Sequence, residues 1–234
     1  MGKKLTDTDS SFRIGHRKRL QQKLADGVQL SDVECLELLL MQSIPRCDVK
    51  PYAHGLIKKY GGIFQVLTAS MESLTENKGI KTNTATMIKV IQNIMLRGYQ
   101  GGISNAPIFH NYDMLLNYCR LNLMNKPIEE FHVLYLNSSY QLIVDDMHSR
   151  GTTNWAAVYP MEIAKRAIAL DSKSVVLIHN HPTTDQSFSS EDADLTTLVQ
   201  QKLKNLDIEL FDHLLIAGGI VYSAKEKQLI RNTI

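Results

Sequence analysis

No stretch of this 234-residue chain approaches the roughly 20 consecutive apolar residues that cross a bilayer, so no membrane-spanning helix is expected. The opening Met1-Gly2-Lys3-Lys4-Leu5 is too polar for a secretory leader, and the expectation is a cytoplasmic protein with no membrane partner. Cysteine is scarce. Cys35, Cys47 and Cys119 lie far apart and form no C-x-x-C pair. That argues against a disulfide framework and a cysteine-rich structural zinc site, and it fits a reducing compartment. A strong excess of either charge is missing too, the formal net charge being +2. The small bias is uneven: residues before Pro107 carry 15 Lys or Arg against 9 Asp or Glu, and the remainder 11 against 15. The front half is therefore a candidate DNA contact, through His16-Arg17-Lys18-Arg19 and Lys23, with the stretch from Ser10 to Leu20 as an arm that orders on binding. It falls short of the marked basic face of a dedicated nucleic-acid binder, and a solvated helix face explains the same residues.

The most informative segment is Val175-Val176-Leu177-Ile178-His179-Asn180-His181-Pro182. A run of β-branched and aliphatic residues makes a buried strand, and residues i and i+2 of a strand point to one side. His179 and His181 can thus aim two imidazoles at one point before Pro182 ends the ladder. Ser189-Ser190-Glu191-Asp192 then opens a run with Leu195, Leu198, Val199, Leu203 and Leu206 at helical spacing, which places Asp192 in the first turn of a helix. Taken singly these features have plain explanations. A His-x-His pair at a strand end is commonly a surface feature, and Ser189 with Asp192 makes a capping box. Together in one strand-loop-helix unit they point to a metal. Two imidazoles and one carboxylate are the three protein ligands of a catalytic zinc site, whose fourth position stays open to water.

Read in order, His179, His181, Pro182, Ser189 and Asp192 resemble the H-x-H-P-x(6)-S-x-x-D signature of JAMM/MPN metalloproteases. The wider text is narrower. Arg150-Gly151-Thr152, Val158-Tyr159-Pro160, His179-Asn180-His181-Pro182 and Asp212-His213 resemble the bacterial RadC family. Upstream, Tyr60-Gly61-Gly62-Ile63-Phe64 and Lys78-Gly79-Ile80 resemble its helical N-terminal part. The resemblance implies that His179, His181 and Asp192 bind Zn2+ and that Ser189 helps hold the oxyanion of a tetrahedral intermediate. It also implies a glutamate at the start of an early strand as general base. Glu129, ahead of Phe131-His132-Val133-Leu134-Tyr135-Leu136, is the best match, with the adjacent Glu130 and Asp146 on the following strand as alternatives.

The implied reaction is cleavage of an amide or isopeptide bond in a peptide substrate, with zinc supplying an ionised water near neutral pH and the glutamate carrying its proton. A zinc-dependent nuclease and a DNA-associated accessory protein that uses the fold for binding are the alternatives. The implied fold is α/β: a mixed-sheet JAMM/MPN sandwich of the cytidine-deaminase type over 108–234, preceded by a small all-α domain over 1–97. Gly98, Gly101, Gly102 and Ser104 mark 98–107 as a linker.

Local signals fill in the elements. Ser31-Asp32-Val33-Glu34 is a capping box before Leu36, Leu38, Leu39 and Leu40, and Pro51 suits a helix start. Met87, Ile88, Ile91, Ile94 and Met95 mark a helix ending near Gly98. The family's N-terminal part resembles a helix-hairpin-helix, from which this chain departs by placing Lys81 where the pattern repeats glycine. In the second half, strands are expected at Phe131–Leu136, Gln141–Val144 and Asp207–Ala217, with a helix from Pro160 to Leu170. His213 reads first as a core histidine, with orientation of a ligand as the alternative, and His132 and His148 as non-ligands. Asp185 reads as a turn former, and Trp155 with the Arg150-Gly151-Thr152 segment as a rim.

Overall fold

Caps and buried leucines, rather than charge, organise the front of the chain. In the computed structural model, which describes residues 7–45, 47–151, 159–182 and 187–227, the chain divides into two compact units, Met1–Gln92 and Asn93–Ile234. Thr152, Trp155, Val158 and Asp185 lie outside the described residues. Among the described residues no helix is long and apolar enough to cross a membrane.

The first unit is helical: α1 (Asp7–Ala25), α2 (Asp32–Ser43), α3 (Lys50–Tyr60), α4 (Ile63–Thr68), α5 (Met71–Thr75) and the first part of α6 (Thr82–Asn105). The expected capping box forms at Ser31, whose hydroxyl accepts the Glu34 N–H while Glu34 accepts the Ser31 N–H. The stretch from Ser10 to Leu20, expected as an arm, is helical within α1. It is anchored because Leu20 is buried and His16 Nε2 lies 2.6 Å from the buried Glu37 of α2. Three cations of this helix also have partners inside the unit. Arg17 donates to Gln42, Arg19 lies 2.7 Å from His16 Nδ1, and Lys23 pairs with Glu34 at 2.7 Å.

The second correction concerns 98–107. Instead of a loop, α6 continues to Asn105. Each glycine in a helix interior costs about 1 kcal/mol relative to alanine, but here Ile103 is fully buried and Gly102 lets α6 approach its neighbour. A Cβ at Gly102 would stand 2.5 Å from Met114 Sδ. Gly102 marks close packing, while Gly98 and Gly101 sit in the helix with open space beside them, and the division between units falls inside the helix between Gln92 and Asn93.

The second unit adds α7 (Tyr112–Leu123), β1 (Glu130–Leu136), β2 (Leu142–Arg150), α8 (Pro160–Ala169), β3 (Ser174–Asn180), α9 (Ser190–Lys204), β4 (Glu209–Ala217) and β5 (Ile220–Ser223). The strands form one mixed sheet in the order β2-β1-β3-β4-β5. β1 is antiparallel to β2 and β3, β3 is parallel to β4, and β5 closes an antiparallel hairpin on β4. Strand β2 runs six residues further than expected, to Arg150, because its residues keep pairing with β1 as far as Glu130↔Arg150, across two register shifts. Every residue of β1 and β3 is buried, as for central strands covered on both faces.

One face packs Phe131, Val133, Tyr135, Val175 and Leu177 against α8 and α9, while α7 lies over β3, β4 and β5. This is the α/β sandwich that the sequence led us to expect. Because β3 and β4 are parallel, the chain must cross over between them, and α9 is that crossover. Its N-terminus therefore stands at the carboxyl end of β3, where open α/β sheets characteristically place their sites.

The turn before α6 gives a stability test. Gly79 is left-handed at φ +85°, and an added Cβ would lie 2.6 Å from the Tyr52 ring. Gly79→Ala is expected to destabilise the protein by about 1–2 kcal/mol from the backbone alone, with displacement of Tyr52 adding to that. Urea denaturation followed by circular dichroism should show an earlier transition, and an unchanged midpoint would contradict the packing.

Candidate metal centre

The site is built where β1, β3 and α9 meet. His179 is the penultimate residue of β3, and His181 prolongs the strand because its N–H donates to Ile216 O of β4 at 3.0 Å. That extra rung keeps His181 extended, so it shares a side with His179. Their Nε2 atoms are 3.2 Å apart. Asp192 enters from the first turn of α9, with Oδ1 at 3.3 Å from His179 Nε2 and Oδ2 at 3.5 Å from His181 Nε2. Donors roughly 2.0–2.1 Å from a tetrahedral zinc ion stand about 3.3–3.4 Å apart. The three separations, 3.2, 3.3 and 3.5 Å, lie near that edge, with a different Asp192 oxygen facing each imidazole.

Register then decides which glutamate faces the histidines. The β1–β3 ladder pairs Phe131 with His179, which places Glu129 opposite His181 and on the same side of the sheet. The ligand atoms of Glu129, His179 and His181 all lie within 4.8 Å of one another. Glu130 points to the opposite face, where it is buried between Lys126 at 3.0 Å and Arg150 at 3.2 Å. Asp146 is paired with Arg166 at 2.7 Å. His132 bonds Asp145 on the α7 face and His148 bonds the Tyr135 hydroxyl. None of these four belongs to the cluster.

Asn180, between the two histidines in sequence, faces away from them and does something the sequence reading missed. Its Oδ1 accepts the Glu130 N–H at 2.9 Å and its Nδ2 donates to Ile128 O at 3.1 Å. The two peptide groups flanking Glu129 are thus clamped by one side chain, and Gly151 N–H holds the Glu129 carbonyl at 2.9 Å.

Ser189 is the N-cap of α9. Its backbone N–H and its hydroxyl both donate to Asp192 Oδ2, at 2.7 and 2.8 Å, and the hydroxyl accepts the Asp192 N–H. The capping box and the approach of Asp192 to the histidines are therefore the same structure: the cap orients the carboxylate. Behind His179 stands His213 of β4, its Nε2 at 2.8 Å from His179 Nδ1, and its Nδ1 is 2.6 Å from the Thr196 hydroxyl of α9. His213 is a buried histidine, as its strand position suggested, and it also touches the histidine that faces Asp192. Phe131 stacks on His179, and Phe188 lies edge-on to both rings, which excludes water behind the cluster.

Electrostatics follow from this burial. His179 and His213 are completely buried and held below the ordinary histidine range by desolvation. Burial also opposes ionisation of Asp192, but the neighbouring imidazoles and the Ser189 N–H outweigh it and hold the carboxyl below the usual range. The Glu129 carboxyl is pushed up by burial, an effect that His181 partly offsets and the Asp192 charge reinforces. Two buried carboxylate oxygens, Glu129 Oε1 and Asp192 Oδ1, accept no hydrogen bond. Unsatisfied buried acceptors are costly, and a cation between His179, His181 and Asp192 would satisfy Asp192 Oδ1. Donor type, spacing and orphaned acceptors all fit a zinc ion.

Comparison with known proteins places the chain. A family model described as RadC-like JAB domain matches residues 109–229, which include every residue of the cluster. The chain is 37% identical over 215 residues to a UPF0758 protein of Ruegeria pomeroyi, covering 91% of this chain and 96% of that protein. It is 34% identical over 201 residues to a UPF0758 protein of Rhodobacter capsulatus, covering 86% and 94%.

Two outcomes check this geometry. Asn180→Ala would leave the Glu130 N–H and the Ile128 carbonyl without their partner, which should cost about 1–3 kcal/mol in urea denaturation; a neutral substitution would refute the clamp. In metal-free protein, the unfolded chain protonates its histidines below about pH 6.5 while His179 and His213 resist protonation. The unfolded state then binds more protons, so stability must fall as pH drops from 7.5 to 5.5, by up to about 1.4 kcal/mol per unit and per histidine. The raised Glu129 carboxyl acts in the opposite sense, since there the folded state binds the extra proton. Denaturation midpoints that rise on acidification would show that the histidines are not buried in neutral form.

Proposed function

The chain belongs to the RadC family, and from that premise we propose that it is a zinc-dependent hydrolase of JAMM type that cleaves an amide or isopeptide bond. The observation that supports this most is the convergence of His179 Nε2, His181 Nε2 and the Asp192 carboxylate, 3.2–3.5 Å apart, with Asp192 Oδ1 and the nearby Glu129 Oε1 accepting no hydrogen bond. Three protein ligands leave one position for water, the pattern of catalytic rather than structural zinc. Zinc held there would bring the pKa of a coordinated water to about 7 and polarise a carbonyl oxygen.

The chain's own residues supply the rest. Glu129 takes a proton from the attacking water and passes it to the leaving nitrogen as the C–N bond breaks. Burial moves its carboxyl upward, in the direction that suits a group which both takes and gives a proton. Asn180 keeps the Glu129 backbone fixed while this happens. Ser189 orients Asp192; to steady a developing oxyanion, the role the family resemblance implies, its hydroxyl would have to turn away from Asp192 Oδ2. A single metal without a second ion makes phosphodiester cleavage the weaker use of this centre. The cations Arg17, Arg19 and Lys23 are engaged within their own unit, which also favours a peptide over DNA. A cytoplasmic location accords with three unpaired cysteines.

Metal analysis of protein purified without chelator should find about one zinc per chain, lost in His179→Ala/His181→Ala. Against a panel of peptide, isopeptide and DNA substrates, Glu129→Gln should keep its zinc and lose roughly 10²- to 10⁴-fold in rate on the amide substrates. Wild-type protein that takes up no zinc, or zinc-dependent nicking of DNA with no amide cleavage, would overturn the proposal.

A further inference from the structure

Histidine can bind a metal through Nε2 only if that nitrogen is unprotonated, and a neutral ring then carries its proton on Nδ1. In this chain the proton's position can be followed from α9 inward. Thr196 Oγ1 lies 2.6 Å from the Asp192 carbonyl oxygen, one turn back on the helix. Two oxygens that close are joined by a proton, and the only one available is the Thr196 hydroxyl proton. With its proton committed, the hydroxyl can only accept from His213 Nδ1, 2.6 Å away, so that nitrogen is N–H. His213 is fully buried between a hydroxyl and an imidazole, both neutral partners, and carries one proton. Its Nε2 is then a bare acceptor, and the 2.8 Å bond to His179 Nδ1 must have its proton on His179. In the neutral ring His179 Nε2 then carries no proton, and it stands 3.2 Å from His181 Nε2 and 3.3 Å from Asp192 Oδ1.

We infer that Thr196 and His213 are positioning residues: they form a relay that fixes the proton on His179 Nδ1 and so presents an unprotonated Nε2 to the metal. The inference rests on the zinc reading of the site. It gives α9 a double role, because the helix that delivers Asp192 also sets, through Thr196, the tautomer of the histidine opposite. A histidine ligand is commonly oriented by a carboxylate, carbonyl or water. Here the acceptor is a second neutral imidazole, which fixes the ring without adding negative charge behind it.

The test uses the full chain with 15N-labelled histidine. Nuclear magnetic resonance of the metal-free protein should show protonated Nδ1 and bare Nε2 on both His179 and His213, assigned by comparison with His213→Gln. Zinc titration should then give an affinity about 10- to 100-fold weaker in Thr196→Val, with mixed tautomers at His213, and near-native values in Thr196→Ser, which keeps the hydroxyl. A purely packing role would make valine the better replacement. Reversed protonation, or native zinc affinity in folded Thr196→Val, overturns the relay. If Thr196→Val does not fold, the wild-type ring pattern decides alone. Wild-type protein that binds no zinc but shows the expected pattern would end the zinc reading and leave the relay standing; zinc binding with the reversed pattern would do the opposite.

Discussion

The antiparallel register of β1 on β3 is the constraint on which the site depends. Pairing Phe131 with His179 places Glu129, His179 and His181 on one side of the sheet and sends Glu130 and Asn180 to the other. A slip of one residue would exchange the two glutamates, burying Glu129 among the partners of Glu130 and presenting Glu130 to the histidines. Several interactions resist that slip: the dry packing of Phe131, Val133 and Tyr135 on one face, the ion pairs of Glu130 with Lys126 and Arg150 on the other, and the two bonds of Asn180. Sheet pairing, core packing and polar satisfaction agree on one register, and the chemistry follows from it.

The second organising element is the start of α9. The first two turns of the helix are capped by Ser189, deliver Asp192 to the two imidazoles, and reach His213 through Thr196. Capping is ordinarily worth about 1 kcal/mol of helix stability. Here the same bonds hold a carboxylate against buried histidines, so local helix stability and the arrangement of the cluster are one set of interactions. Burial keeps the His179 and His213 rings neutral and shifts Glu129 toward neutrality, while the neighbouring imidazoles and the Ser189 N–H keep Asp192 ionised against it.

Much of this was legible in the chain. The apolar run from Val175 to Ile178 announces a buried strand, the i, i+2 spacing of His179 and His181 puts both on one side, and Ser189-x-x-Asp192 announces a helix start, because all are local patterns. The linker expected at 98–107 was misread because glycine signals a break and a close approach with the same letter; only the contact of Gly102 with Met114 separates them. The choice among Glu129, Glu130 and Asp146 needed the pairing of strands about 50 residues apart. The role of Asn180 was hidden inside a motif that draws attention to its neighbours. Thr196 could have been suspected from its position four residues after Asp192, one turn along the same helix, but its partner His213 is set by the parallel β3–β4 pairing, a long-range fact.

The central claim is that two imidazoles and a carboxylate, with no sulfur, hold one zinc ion. X-ray absorption at the zinc edge of the fully loaded protein tests it directly. The account predicts a four-coordinate shell of nitrogen and oxygen at about 2.0–2.1 Å containing two imidazoles. A sulfur contribution near 2.3 Å, which would bring in Cys35, Cys47 or Cys119, or a shell with no imidazole, would contradict it.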